Sequence, residues 1–173
     1  MSSPRALPAP SESVIVLSTA HVEQALAASR VSCRKRVILP FHKQPDELLH
    51  RMFNALQPGS YVQPHRHLRT RKSETFIVLR GALDFVVFDE HGAIALARRL
   101  TAGGPEFGID LAPGAYHSFL VREPDTLVFE VKQGPYIASD DKDFAPWAPA
   151  EGDDGVAAYV AELECALRNS AHT

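Results

Sequence analysis

The chain has 173 residues, 45% of them hydrophobic and 23% charged, with a formal net charge of −3 at pH 7. This length and composition fit one globular domain, and the charge gives no overall attraction to nucleic acid or to an anionic membrane. The apolar runs are too short to span a bilayer and the first residues lack the pattern of a signal peptide, so we expect a cytoplasmic protein that binds neither nucleic acid nor a membrane.

Taken in chain order, the pattern first predicts a disordered tail over residues 1–13, which hold three prolines and four serines. Residues 18–30 predict a helix, with Ser18 or Thr19 as N-cap. Short hydrophobic runs between turn residues then predict strands over 33–40, 49–56, 75–79, 82–88, 93–100, 106–111, 115–121 and 126–132. Short strands at this spacing are typical of a β-sandwich or β-barrel.

After residue 135 the chain becomes acidic and is interrupted by prolines, which predicts an extended arm across the barrel, anchored by Phe144 and Trp147. Residues 155–168 carry four apolar side chains at helical spacing and predict a helix that covers one barrel face. We therefore divide the chain into a tail over 1–13, a barrel with its N-terminal helix over 14–138, and the arm with the C-terminal helix over 139–173.

Histidines and one glutamate have the spacing of a metal site. His65 and His67 are two residues apart, so in a strand both side chains point to the same face. Glu74 opens the next predicted strand, and His117 follows a Pro-Gly turn. Imidazole and carboxylate ligands suit one divalent ion, namely zinc, iron, manganese or nickel. A His-x-His pair arises easily by chance in a chain with eight histidines, so the prediction depends on all four residues together.

The full pattern resembles the two motifs of the cupin superfamily. Gly59, His65, His67, Glu74 and Gly81 stand in the positions of the first motif, Gly-x5-His-x-His-x3–4-Glu-x6-Gly, although six residues separate His67 from Glu74 here. Gly114 and His117 match the second motif. The resemblance implies a mainly β fold, the double-stranded β-helix or jelly-roll barrel of cupins, with an N-terminal and a C-terminal helix added.

A closer resemblance covers about residues 20–155. The segments RMFNALQPGSYVQPHRH, SETFIVLRGAL, PGAYHSF, FEVKQGPY and DKDFAPWAPAEGD are similar to the WbuC-type cupin metalloproteins of bacteria. Members of that family often lie near genes for surface polysaccharide synthesis. The resemblance implies a metal-binding cupin connected with such synthesis and leaves the reaction open.

Strand alternation nominates further residues of the pocket. If His65 and His67 face inward, Gln63 and Tyr61 face the same way, and we assign Tyr61 and Glu74 as candidate proton-transfer residues. Asn54 lies on an apolar strand, either as a strand-edge polar residue or as a contact to the metal site or substrate. The basic run between the ligands is either a solvated loop or a rim that binds phosphate or carboxylate; it consists of Arg66, Arg69, Arg71 and Lys72. With Gln63 and Asn54, Arg69 and Arg71 are the candidate ligand-binding residues.

Three functions fit these residues. The first is a metal-dependent enzyme, similar to an isomerase or epimerase, that acts on a small polar or anionic metabolite such as a sugar or sugar phosphate. The second is a non-haem iron dioxygenase, and the third is a non-catalytic module that binds a metal or a sugar. We also expect a homodimer, with the strand edge at residues 34–40 paired to a partner chain, unless the C-terminal helix covers that edge.

Overall fold

The computed structural model describes residues 4–68, 71–137 and 141–170. Within these residues it contains two helices, α1 (Thr19–Val31) and α2 (Val156–Ser170), and ten strands. The strands are β1 (Arg36–Pro40), β2 (Leu49–Leu56), β3 (His65–Arg66), β4 (Glu74–Arg80), β5 (Ala82–Phe88), β6 (Ile94–Thr101), β7 (Gly108–Leu111), β8 (Tyr116–Val121), β9 (Thr126–Gln133) and β10 (Asp143–Phe144).

The strands form two five-stranded antiparallel sheets. The first sheet has the order β1-β2-β9-β4-β7, and the second has the order β10-β3-β8-β5-β6. Strands that are distant in sequence pair within each sheet, as β2 does with β9 and β3 does with β8. Two such sheets facing each other form the jelly-roll barrel that the sequence predicts.

The core lies between the two sheets. Alternate residues of β4, including Phe76 and Val78, point inward and pack against Leu83 and Phe85 of β5 and Val128 of β9. This alternation follows from the two-residue period of a strand. The packing fills one half of the barrel interior with apolar side chains, so polar groups collect in the other half.

Each helix covers the outer face of one sheet. In α1, Ala25 and Leu26 are fully buried against the first sheet, where they meet Phe53. In α2, Leu163 and Leu167 pack against the second sheet. Both helices were predicted, and the apolar face of each is what the helical spacing of the sequence indicates.

The outer edge of β1 is partly occupied by the N-terminal residues of the same chain. Ala6 forms a parallel bridge with Ile38, and the amide of Leu7 donates to the carbonyl of Ile38 at 2.8 Å. This is the edge that we expected to pair with a partner chain. Part of it pairs within the same chain instead, and the homodimer stays a prediction. Within the described residues, no helix is both long and apolar enough to cross a membrane.

Candidate metal centre

Four side chains converge in the polar half of the barrel, and the ligand atoms of His65, His67, Glu74 and His117 all lie within 4.8 Å of one another. All four residues are buried, with exposures of 2–4%. His65 on β3 pairs directly with His117 on β8 in the second sheet, whereas Glu74 opens β4 in the first sheet. The cluster therefore joins the two sheets across the barrel interior.

The longer segment between His67 and Glu74 does not remove the glutamate from the cluster. The chain turns at Arg71, which has a positive φ of 50°, and the amide of Arg71 donates to the carbonyl of Leu68. After this turn Glu74 reaches back, with Oε1 at 3.1 Å from Nε2 of His67 and Oε2 at 3.1 Å from Nε2 of His117. The structure thus brings all four predicted ligands together.

Backbone carbonyls fix the orientation of each histidine ring. Nδ1 of His65 lies 2.9 Å from the carbonyl of Gln63, and Nδ1 of His117 lies 3.0 Å from the carbonyl of Ala115. Nδ1 of His67 is hydrogen-bonded to the carbonyl of Asp141. A carbonyl only accepts, so each Nδ1 carries a hydrogen, and a ring in its neutral form then presents the lone pair of Nε2 to the cluster.

The residues fit a divalent ion. Nε2 of His67, Nε2 of His117 and Oε2 of Glu74 are buried and make no hydrogen bond, which is costly unless another group satisfies them. Ligand atoms at right angles around an ion, each about 2.1 Å from it, lie about 3.0 Å apart, close to the observed 3.1 Å. Three imidazoles and one carboxylate are also a donor set that zinc, iron, manganese and nickel accept.

The protonation states agree with metal ligation. Burial, helped by the charge of Lys142, lowers the pKa of His65 well below its usual value and keeps the ring neutral. Burial alone would raise the pKa of Glu74, but His117, His67 and the ammonium of Lys132 outweigh it, so the pKa lies below its usual range. The site therefore offers a neutral imidazole and an ionised carboxylate, the forms that bind metals.

A network of buried charges lies behind Glu74. Nζ of Lys132 lies 3.7 Å from Oε1 of Glu74, 3.7 Å from Oε1 of Glu130 and 3.3 Å from Oδ2 of Asp141. Asn54 donates to Oε2 of Glu130 at 2.6 Å. Asn54 is thus connected to Glu74 through Glu130 and Lys132.

Tyr61 and Gln63 contact the C-terminal part of the chain. The hydroxyl of Tyr61 donates to the carbonyl of Pro149 at 2.7 Å, and its ring lies edge-on to Tyr159 of α2. The side-chain amide of Gln63 donates to the carbonyl of Ala148 at 3.3 Å. Residues 60–64 are not in a strand, so strand alternation does not govern their directions. The structure does not bring Tyr61 to the ligand cluster, and Gln63 supports His65 through its backbone.

The basic run is dispersed. Arg66 pairs with the exposed Glu90 at 2.6 Å and lies over the ring of Tyr116. Lys72 is buried with Asp141 rather than placed at a rim. Arg71 is exposed at the turn, and Arg69 lies outside the described residues.

Positive charge reaches the site instead from Lys132 and Lys142, which the sequence pattern did not single out. Burial, followed by the charge of Lys132, lowers the pKa of Lys142 to about 8. Lys132 could have been found from the sequence, because it alternates with Glu130 and the buried Val128 along a largely apolar strand. Lys142 could not, since its place depends on the pairing of β10 with β3.

A jelly-roll barrel of two antiparallel sheets that encloses a buried cluster of three histidines and one glutamate has the architecture of the cupin fold, with side chains that could hold a metal ion. The model of a domain of unknown function, DUF6016, matches residues 17–100, just under half of the chain. No curated protein matches the chain by sequence.

Among solved structures, CapF with the inhibitor 3-isopropenyl-tropolone is similar at 20% identity and a TM-score of 0.50, over 62% of this chain and 30% of CapF. KdgF from Halomonas sp. matches at 23% identity and a TM-score of 0.44, over 60% of this chain and 80% of KdgF. Oxalate decarboxylase from Bacillus subtilis at pH 4.6 matches at 18% identity and a TM-score of 0.46, over 57% of this chain and 24% of the decarboxylase. This chain therefore spans less than a third of CapF and of the decarboxylase, and the likeness to CapF shows a shared fold.

Proposed function

We propose that this protein is a metal-dependent cupin enzyme that acts on a small anionic metabolite, such as a sugar phosphate, by an isomerase-like or epimerase-like reaction. The observation that carries the proposal is the buried cluster of His65, His67, Glu74 and His117, which uses four ligand atoms. An ion that accepts six ligands keeps two positions open beside these four, and adjacent open positions suit two neighbouring oxygens of a substrate.

The balance of charge around the cluster favours an anion. Besides the histidines, six ionisable side chains among the described residues lie in or directly behind it, three acidic and three basic: Glu74, Glu130, Asp141, Lys72, Lys132 and Lys142. Their charges cancel, so a divalent ion leaves the site with two uncompensated positive charges. An uncompensated charge in a buried site is unfavourable, and a negatively charged ligand compensates it.

Lys142 is the residue best placed to contact that ligand. Asp143 pairs with Arg66 and Phe144 pairs with His65, so continuing this register places Lys142 opposite His67. Alternate residues of a strand share a face, so Lys142 lies on the same side as Phe144. That is the side of the metal ligands, because the ring centroid of Phe144 lies 6.2 Å from that of His65. Its charge also acts on Glu74 and Glu130. In this proposal Lys142 holds the anionic group of the substrate while the bound ion polarises its neighbouring oxygens.

The donor set also favours a second function. Three histidines with a carboxylate suit ferrous iron as well as zinc or manganese, so a non-haem iron dioxygenase remains the second proposal. A metal other than iron in protein purified without a tag would exclude the second proposal, because an iron dioxygenase requires iron.

Calorimetry on the metal-loaded protein tests the preference for an anion, with one hexose and its phosphate as the two probes. The phosphate should bind at least tenfold more tightly, and Lys142→Gln should remove most of that difference. Lys43→Gln is the matched control, because its ammonium binds the carbonyl of Ser11 on the α1 side of the first sheet. Equal binding of the two probes by the wild-type protein would contradict the proposed anionic substrate.

Conversion of the sugar phosphate, followed by NMR, tests catalysis, and binding without conversion would favour a non-catalytic module.

A further inference from the structure

Residues 141–149, which we call the 141–149 segment, run antiparallel along residues 61–68, the stretch that carries His65 and His67. The amide of Ala145 donates to the carbonyl of Pro64 at 2.9 Å, and the amide of Leu68 donates to Oδ2 of Asp143 at 3.1 Å. The β10–β3 pairing lies between these two bonds. The ligand-bearing stretch is therefore held by β8 on one side and by the 141–149 segment on the other.

Asp141 connects this segment to ligands from both sheets. Its carbonyl accepts the hydrogen bond from Nδ1 of His67. Its carboxylate binds Nζ of Lys72 at 2.8 Å through Oδ1 and Nζ of Lys132 at 3.3 Å through Oδ2. Lys132 also lies 3.7 Å from Glu74. One buried residue thus contacts the ring of one ligand and, through Lys132, the carboxylate of another.

The ammonium of Lys72 binds Asp141 rather than a metal ligand: it donates to Oδ1 of Asp141 at 2.8 Å and to the carbonyl of Pro135 at 2.6 Å. Lys72 and Asp141 are both 3% exposed. Without Lys72, the buried carboxylate of Asp141 would keep only Lys132 among its described ion-pair partners, and Lys132 also faces Glu74 and Glu130, so the loss of Lys72 should displace Asp141.

We propose that Asp141 is a positioning residue for the metal centre. Lys72 then acts on the metal solely through Asp141, and metal binding in turn stabilises the docked 141–149 segment. This inference rests on the proposed metal site and is independent of the reaction. A hydrogen bond to the second nitrogen of a ligating histidine sets the direction of the ring, and losing such a partner typically weakens metal binding by about 10–100-fold. Here the partner is a backbone carbonyl, so the side chain of Asp141 acts by fixing the position of its own backbone.

The test measures the dissociation constant for Zn²⁺ by competition with a chromophoric chelator. Lys72→Met and Asp141→Asn should each weaken binding by about 10–100-fold. The double variant should lose much less than the product of the two single losses, because both changes break the same pair. The absorption spectrum of bound Co²⁺ should also change in the single variants, which reports a moved ligand rather than a loss of stability.

Arg122→Met is the matched control. Arg122 forms a partly buried ion pair with Asp84, at 2.6 Å, and contacts Glu164 of α2, so its loss should destabilise the barrel and leave the Zn²⁺ constant within about twofold. Protection of residues 141–149 from hydrogen exchange should increase when Zn²⁺ is added to the wild-type protein.

The outcomes separate this inference from the proposed function. If the wild-type protein binds no Zn²⁺, both are wrong. If it binds Zn²⁺ and Lys72→Met binds as tightly, or if Arg122→Met loses as much affinity as Lys72→Met, the positioning role is wrong and the metal site stands. Should Lys72→Met fail to fold, Asp141→Asn, which keeps the shape of the side chain, decides the question by the same measurement.

Discussion

His65 lies directly opposite His117, as cross-strand partners on β3 and β8, with ring centroids 4.5 Å apart. Side chains of directly paired residues point to the same face of a sheet. The pairing therefore presents two imidazoles, 52 positions apart in sequence, to one point in the barrel interior. Glu74 reaches the same point from the opposite sheet, so metal binding links the two sheets.

The first prediction concerns the metal content. Protein purified without a tag should contain about one divalent ion per chain, and His65→Ala combined with His67→Ala should remove it, because two of the four ligands are lost. Glu74→Gln should weaken binding strongly, since it removes the negative charge of the carboxylate whose oxygens lie 3.1 Å from Nε2 of His67 and of His117. Elemental analysis and a zinc competition assay measure both effects.

His91→Ala is the control for that experiment, because His91 lies in the exposed turn between β5 and β6 and is not among the clustered residues. It should keep the full metal content. A double variant that retains its metal would show that the ion binds elsewhere.

The second prediction is that the metal stabilises the fold. A ligand that binds the native state alone, at a free concentration of 100 times its dissociation constant, adds about 2.7 kcal/mol to the free energy of unfolding. For a chain of this size we expect removal of the metal by a chelator to lower Tm by about 5–10 °C. Calorimetry before and after chelation measures the shift, and the variant that lacks His65 and His67 should show none. An unchanged Tm in the wild-type protein would contradict a structural contribution of the ion.

Much of the barrel follows from local sequence patterns. The predicted bounds of β2 and β5 agree with the structure residue for residue, because runs rich in apolar residues between turn residues define them. The metal cluster was predictable as well, since a two-residue spacing places His65 and His67 on one side and the cupin motifs supply Glu74 and His117.

What could not be predicted depends on pairing between distant segments. β3 and β10 are two residues long and have no periodicity; β10 exists because it pairs with β3, and β3 exists because it pairs with β8 and β10. The inward turn of Lys72 likewise depends on Asp141, 69 positions later. The run from Arg66 to Lys72 looks like one basic surface in the sequence, whereas the structure directs its first and last members to different acidic partners, Glu90 and Asp141.

The third prediction concerns the glycine that ends the first cupin motif. Gly81 turns the chain between β4 and β5 with a φ of +73°, and a Cβ there would collide with Thr126 of β9. Gly81→Ala should therefore lower the free energy of unfolding by about 1–2 kcal/mol for the backbone conformation and by about 1–3 kcal/mol more for the collision. Urea denaturation measures the sum.

Gly103→Ala separates the two contributions. Gly103 has a similar φ of +69°, and a Cβ added there would have no neighbouring atom within 4 Å. This variant should show the conformational cost alone. Equal losses in the two variants would mean that the contact with Thr126 contributes nothing.

The fourth prediction concerns His50, a buried residue of β2 that lies outside the metal cluster. Its ring stacks on His42 with centroids 4.0 Å apart, and its Nε2 lies 3.1 Å from the carbonyl of Pro45. Burial, followed by the charge of His42, lowers the pKa of His50 below the usual value of 6.5, and Lys132 and Lys72 act in the same direction. In the folded protein His50 therefore stays neutral at pH values where the unfolded chain takes up a proton.

The direction of the pH effect follows from this difference. Just below pH 6.5 the unfolded state binds more protons than the native state, so the free energy of unfolding rises with pH there. The contribution of His50 is fully present above pH 6.5 and is lost as the pH falls towards the folded pKa. Urea denaturation of chelator-treated protein between pH 7.5 and 5 should show a shallower decline for His50→Gln, which keeps a donor for Pro45, than for the wild type. The exposed His91→Gln should decline in parallel with the wild type, and a parallel decline of His50→Gln would exclude His50 as a source of the acid sensitivity.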